Sequence, residues 1–147
     1  MVIMKKDFNL KDIGEIAKGI IELVYKKDIK KATIVALSGE LGSGKTHITK
    51  AIAKEFGIKE KVLSPTFVLM KRYKIKNNEK FDNLIHIDAY RLEKESEIEQ
   101  IGFKKMEDSS KNLILIEWPE KIYSYLPKNC LKISLEHIDD KTRRIIL

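Results

Sequence analysis

Ala32-Thr33-Ile34-Val35-Ala36-Leu37-Ser38-Gly39-Glu40-Leu41-Gly42-Ser43-Gly44-Lys45-Thr46 is the stretch whose reading decides the fold. Its first half, Ala32 to Leu37, is a short apolar, β-branched run of the kind that forms a buried strand. Gly39 to Thr46 then completes the pattern G-x-x-x-x-G-K-[ST]. Beyond it, Ile48, Ile52 and Phe56 recur at helical spacing, and Gly57 supplies a natural helix stop. Strand, glycine loop and helix in that order form the context in which such a loop cradles phosphates. Gly39, Gly42 and Gly44 let the backbone wrap closely around an anion. The helix start offers unpaired N–H groups and the positive end of its dipole. Glu40, Leu41 and Ser43 complete the cradle with their backbone. Lys45 reaches for the β/γ-phosphates, and the Thr46 hydroxyl is a ligand for Mg²⁺. The segment implies a nucleoside triphosphate site.

Working outward, the rest of the chain supplies strands and helices in alternation. Leu10, Ile13, Ile16, Ile20 and Val24 form a helical stripe with Asn9 as its cap. Val62-Leu63 predicts a short strand ending at Ser64-Pro65-Thr66, and Phe67 to Ile75 reads as extended. Asn77-Asn78-Glu79-Lys80 punctuates a hairpin. Leu84 to Ile87 predicts a strand ending at Asp88, Leu92 to Ile101 a charged helix stopped by Gly102, and Leu113 to Ile116 a buried strand ending at Glu117. Leu131–Leu135 and Thr142–Leu147 flank Asp139-Asp140 as a terminal hairpin. The expected fold is α/β: a P-loop NTPase-like mixed sheet with a parallel core, antiparallel hairpins and flanking helices. Residues 1–147 read as one domain, since this length builds one core.

In sheets of this kind ligands gather at the carboxyl ends of the parallel strands. The glycine loop, Asp88 and Glu117 all fall there. A triphosphatase needs a strand-end carboxylate to hold Mg²⁺ and a group to orient the attacking water, so Asp88 and Glu117 are the candidates. Trp118 follows Glu117, and strand alternation turns it away from that carboxylate. It reads either as a core aromatic or as an indole beside the nucleotide.

Composition narrows the class. The chain is 43% hydrophobic and 35% charged, as expected of a soluble globular protein. It shows neither a membrane-length apolar run nor a signal-type N-terminus. Cys130 is the single cysteine, which suits a reducing cytosol and leaves no zinc spacing. Net charge +7 and pI ≈ 9.3 invite a nucleic-acid reading. Only four of the 29 basic residues are Arg (Arg72, Arg91, Arg143, Arg144), however, and base-edge recognition favours Arg. Contact with RNA is therefore expected to be indirect or weak.

Four segments together resemble the TsaE (YjeE) family of small P-loop ATPases: G-E-L-G-S-G-K-T (Gly39 to Thr46), S-P-T-F (Ser64 to Phe67), H-I-D-A-Y-R-L (His86 to Leu92) and I-E-W-P-E (Ile116 to Glu120). Departures are Ser43 where the family often has Ala, Leu10 or a neighbour in place of a Thr, and Val68 after S-P-T-F. The resemblance implies a cytoplasmic bacterial protein needed for threonylcarbamoyl modification of the adenosine 3′ to the anticodon in tRNAs reading codons that begin with A. It implies a Mg²⁺-dependent ATPase, weak alone and stimulated by the TsaB–TsaD complex, with no membrane role. Carried over, Lys45 binds phosphate, Thr46 ligates Mg²⁺, and Asp88 and Glu117 are the functional carboxylates. The metal falls to Glu117 and the water to Asp88, or the reverse. Ser64, Pro65 and Thr66 form a switch-like segment, with Thr66 approaching the nucleotide.

The residues alone also admit a small-molecule or nucleotide kinase, which shares the loop. Such kinases usually carry several arginines over the transferred phosphoryl group, and this chain has few. A GTPase would need an N-K-x-D motif, which is not present. A nucleotide-dependent adaptor without catalysis fits poorly with intact Lys45, Thr46, Asp88 and Glu117.

Overall fold

The computed structural model describes residues 4–62 and 69–147. Seven strands among these residues form one sheet: β1 (Lys5–Asn9), β2 (Thr33–Ser38), β3 (Met70–Lys74), β4 (Asn83–Asp88), β5 (Asn112–Glu117), β6 (Leu131–His137) and β7 (Thr142–Ile146). Their spatial order is β1-β7-β6-β2-β5-β4-β3. β6, β2, β5 and β4 run parallel in the centre, with β3, β7 and β1 added antiparallel at the margins. The expected mixed sheet with a parallel core is present. β6 serves twice, as one arm of the terminal hairpin and as a parallel neighbour of β2.

The central strands are apolar on both sides because both faces are covered. On one face, Val35, Leu37, Leu84, Leu113 and Leu115 pack beneath α1 (Ile13–Tyr25) and α2 (Lys45–Glu55). α1 contributes Ile16, Ala17, Ile20 and Val24, and α2 contributes Ile48, Ile52 and Ala53. On the other face, Ile34, Ala36, Ile85, Ile87, Ile114 and Ile116 pack under Ile98, Phe103, Met106 and Ile122. That cover consists of two 3₁₀ segments, Glu95–Ile101 and Pro119–Tyr125, and the short α3 (Phe103–Glu107). Each fully buried Ile or Leu stabilises the fold by about 1.5–3 kcal/mol.

Several expected elements differ in detail. The first helix does not start at Leu10: Leu10–Asp12 is a 3₁₀ turn, and α1 begins at Ile13. Asn9 does cap, with its Oδ1 accepting from the Lys11 N–H at 3.1 Å, but it caps that turn. The charged helix expected from Leu92 is a 3₁₀ segment starting at Glu95. The Glu97 carboxylate accepts from the Glu93 and Lys94 N–H groups at 2.7 and 2.9 Å, which fixes the start there. Gly102, at φ +76°, ends it and opens α3. Val62 lies outside any strand, and Leu63 falls outside the described residues. β1 has no counterpart in the sequence reading, because of its residues only Phe8 is buried.

Candidate nucleotide-binding site

β2 ends at Ser38, and the chain turns through the glycine loop into α2. Gly39 adopts φ +150°, and a Cβ there would lie 2.6 Å from the Leu135 carbonyl oxygen and 2.5 Å from Ser43 Oγ. Only glycine fits this point of contact with β6. Gly44, at φ +105°, stands at the N-cap of α2 with no side chain closing the helix end. The first N–H groups of an eleven-residue helix therefore face the loop, an arrangement suited to phosphate oxygens.

Lys45 is 5% exposed. Its ammonium donates to the Gly39 carbonyl, to the Glu40 carbonyl at 2.9 Å and to Ser43 Oγ at 3.5 Å. It also lies 4.2 Å from the centroid of the Trp118 ring. Burial holds this lysine below the usual lysine range, while the negative charges of Glu117, Glu120 and Asp88 pull the other way. The site is thus a buried cation amid carboxylates, suited to a polyanion that also brings a metal.

Asp88 and Glu117 are direct neighbours across β4 and β5. Glu117 is 2% exposed. Its Oε1 accepts from the Thr46 hydroxyl at 2.9 Å, and its Oε2 is bonded to His86 Nε2. The half-buried Asp88 accepts from the Tyr90 N–H at 3.0 Å. The Thr46 hydroxyl and the two carboxylates are hard oxygen donors beside an open helix end, a donor set suited to Mg²⁺ carried by phosphates. Among the described residues no group of three His, Cys, Asp or Glu forms a metal cage.

These groups line a cleft of about 300 Å³, together with Leu41, Tyr90, Arg91 and Trp118. A cleft twice as large, about 600 Å³, lies elsewhere between α1 and the β6–β7 side of the sheet, walled by Ile16, Ile20, Leu23 and Ile145. The smaller one is the candidate site, because the phosphate loop and both carboxylates converge on it.

Trp118 is placed differently from the strand-alternation expectation. The strand ends at Glu117, and Trp118 takes a left-handed conformation (φ 59°, ψ 51°) that sets up Pro119 for the next turn. Alternation stops applying at that residue. The indole shares the cleft with Glu117, faces Lys45 and contacts Tyr90 with ring centroids 5.0 Å apart. It also packs on the apolar cluster beneath, so both sequence readings of Trp118 describe part of its position. Ser64, Pro65 and Thr66 lie outside the described residues.

Three contributors went unassigned in the sequence reading. His86 stands two residues before Asp88, hence on the same strand face, and that spacing is the signal that could have found it. Tyr90 and Arg91 enter the cleft because the chain leaves β4 beside the loop.

A family model for "Threonylcarbamoyl adenosine biosynthesis protein TsaE" matches residues 9–145. The chain belongs to the TsaE family. A Rickettsia typhi relative, named tRNA threonylcarbamoyladenosine biosynthesis protein TsaE, is 37% identical over 121 residues, covering 82% of this chain and 80% of the relative. Proteins of the same name from Bacillus subtilis and Haemophilus influenzae are 36% and 32% identical, over 79% and 84% of this chain and 69% and 75% of theirs. Among solved structures, one described as "Crystal structure of Bacillus subtilus YdiB" superposes with a TM-score of 0.71 at 27% identity, covering 99% of this chain and 85% of that one. The TsaE match spans the glycine loop, both carboxylates and the terminal hairpin. Among the described residues of this TsaE-family chain, no helix is long and apolar enough to cross a membrane.

Proposed function

We propose that residues 1–147 act as one ATPase domain that binds ATP with Mg²⁺ and hydrolyses it in support of threonylcarbamoyl modification of tRNA. The observation that carries this reading is the Thr46–Glu117 hydrogen bond. It joins the loop helix to the end of β5 at the place where a metal–phosphate complex must sit. In this proposal the α2 amides and the Lys45 ammonium receive the phosphate oxygens, and the loop from Gly39 to Ser43 encloses them. Thr46 and Glu117 hold the metal side. Asp88, one strand over, orients the water that attacks the terminal phosphorus as its bond to the bridging oxygen breaks. Mg²⁺, when bound, screens the phosphate charge and fixes the geometry of the terminal group.

The kinase alternative loses further ground from the arginines. Arg143 donates to the Asp139 and Thr142 carbonyls at 2.6 and 3.0 Å, and Arg144 pairs with Asp7. Of the four, only Arg91 lines the cleft. Protein partners then supply what the isolated site lacks. We assign that role to TsaB and TsaD on the strength of family membership, with tRNA met indirectly or weakly and the reaction placed in the cytoplasm.

The test measures ATP hydrolysis by this chain alone, with small acceptors, and with TsaB, TsaD and tRNA. Strong stimulation by the partners supports the reading. Phosphoryl transfer to a small acceptor, or no response to the partners, sinks it.

A further inference from the structure

His86 is fully buried, on the sheet face where its neighbours Leu84, Leu113 and Leu115 are apolar. Another apolar side chain would fill that position without burying polar atoms, so an imidazole there costs free energy unless it serves something. Its Nε2 meets Glu117 Oε2, while its Nδ1 has no partner among the described residues. A polar ring retained in a core with one nitrogen unsatisfied calls for an explanation at the other nitrogen.

That nitrogen completes a three-element chain. His86 on β4 holds one oxygen of Glu117 on β5, and Thr46 on α2 holds the other at 2.9 Å. An ionised carboxylate only accepts, so Nε2–H is the donor and the tautomer follows from the partner. With both oxygens tied, the carboxylate cannot rotate away from the loop.

We propose that His86 is a positioning residue: its Nε2–H fixes the Glu117 carboxylate so that Oε1 is presented at Thr46 and to the Mg²⁺ of a bound nucleotide. The inference rests on the proposed role of Glu117. His86 itself touches neither nucleotide nor metal. Outer partners of this kind are worth about 10–100-fold in metal affinity or activity.

The test uses the full chain with a non-hydrolysable ATP analogue and Mn²⁺ as probe, reading bound Mn²⁺ by electron paramagnetic resonance. Nucleotide affinity without metal and partner-stimulated hydrolysis across Mg²⁺ concentrations are measured alongside. His86→Leu should weaken Mn²⁺ about 10–100-fold in the ternary complex and move hydrolysis to higher Mg²⁺, leaving metal-free nucleotide affinity unchanged. His86→Gln, which keeps a donor at the Nε2 position, should recover most of the loss. Should His86→Leu fail to fold, His86→Gln is compared with His86→Asn, whose shorter amide falls short of Glu117. Retention by Gln and loss by Asn supports the proposal, and equal Mn²⁺ binding by the two overturns it. Unchanged Mn²⁺ affinity in a folded His86→Leu variant overturns it as well. Glu117→Gln separates the two levels. If it too leaves Mn²⁺ binding intact, the proposed role of Glu117 falls along with that of His86. If Glu117→Gln weakens the metal and His86→Leu does not, the positioning role alone falls.

Discussion

The two faces of the central sheet are built from the same strands yet solve different problems. The face under Ile98, Phe103 and Ile122 is aliphatic along the middle of β2, β4 and β5, with Ile34, Ile85, Ile87, Ile114 and Ile116 all buried, and the Asn83–Asn112 side-chain pair closes its amino end. The face under α1 and α2 carries Leu84, Leu113 and Leu115, but at its carboxyl end the alternation delivers His86, Asp88 and Glu117 instead. The longer helices α1 and α2 cover the face with the chemistry, and two 3₁₀ segments with the short α3 cover the other. The difference follows from what each cover must supply. A phosphate site needs a helix N-terminus aimed at it, whereas an apolar surface accepts any segment that brings Ile, Phe or Met to the right place.

If that division holds, mutations on the two faces separate function from stability. Lys45→Ala should cut partner-stimulated hydrolysis by about 10²–10³-fold, the scale set by losing one electrostatic contact to the transition state. Its urea-unfolding midpoint should barely move. An equal loss of folding would break the division. Ile114→Ala, on the plain face, should cost about 2–5 kcal/mol in urea unfolding through the cavity it leaves. Hydrolysis per folded molecule should stay at the parent rate, and a fall would mean that the two faces are coupled.

A smaller effect tests the chemical face far from its chemistry. Lys80 donates to the carbonyls of Val24, Tyr25 and Lys27 at 3.2, 3.1 and 2.6 Å, closing the C-terminal end of α1. Lys80→Met should lose about 1–2 kcal/mol of stability by the same assay, with ATP affinity unaltered.

The smallest effect sits at the sheet margin. The Asp7 carboxyl is held below its ordinary value of 3.8, first by its hydrogen bond from Arg144 and then, against some desolvation, by the charges of Arg144 and Lys5. A carboxyl lowered in the folded state adds stability that is complete above its unfolded pKa and is lost as pH falls through its folded one. Asp7→Asn should therefore lower stability slightly near neutral pH and leave it unchanged at the acid end, which flattens the acid limb. Unfolding curves across acid and neutral pH read this directly.

The legible parts of the chain were those whose signals are local. β2, β4 and β5 announce themselves as aliphatic runs, and the loop by its glycines and Lys45-Thr46. Asp88 and Glu117 follow from where those runs stop. β1 escaped because Lys5, Lys6 and Asp7 are exposed at an edge, and their pairing with β7 is made across the length of the chain. The Glu95 start escaped because a carboxylate from Glu97 back to two N–H groups outweighs the apolar spacing from Leu92. The His86–Glu117 contact joins residues 31 apart and depends on register, which strand composition does not encode. Trp118 defied alternation because it takes a left-handed conformation immediately past the strand end at Glu117, where the extended backbone that alternation assumes has stopped.

That left-handed step also gives the protein an optical probe. Trp118 is the sole tryptophan in the chain, and its indole lies 4.2 Å from the Lys45 ammonium, with Tyr90 alongside. Any anion that engages that ammonium alters the electric field across the ring. Intrinsic emission, free of background from other indoles, should therefore shift as the loop fills, so that unlabelled protein reports its own occupancy during turnover.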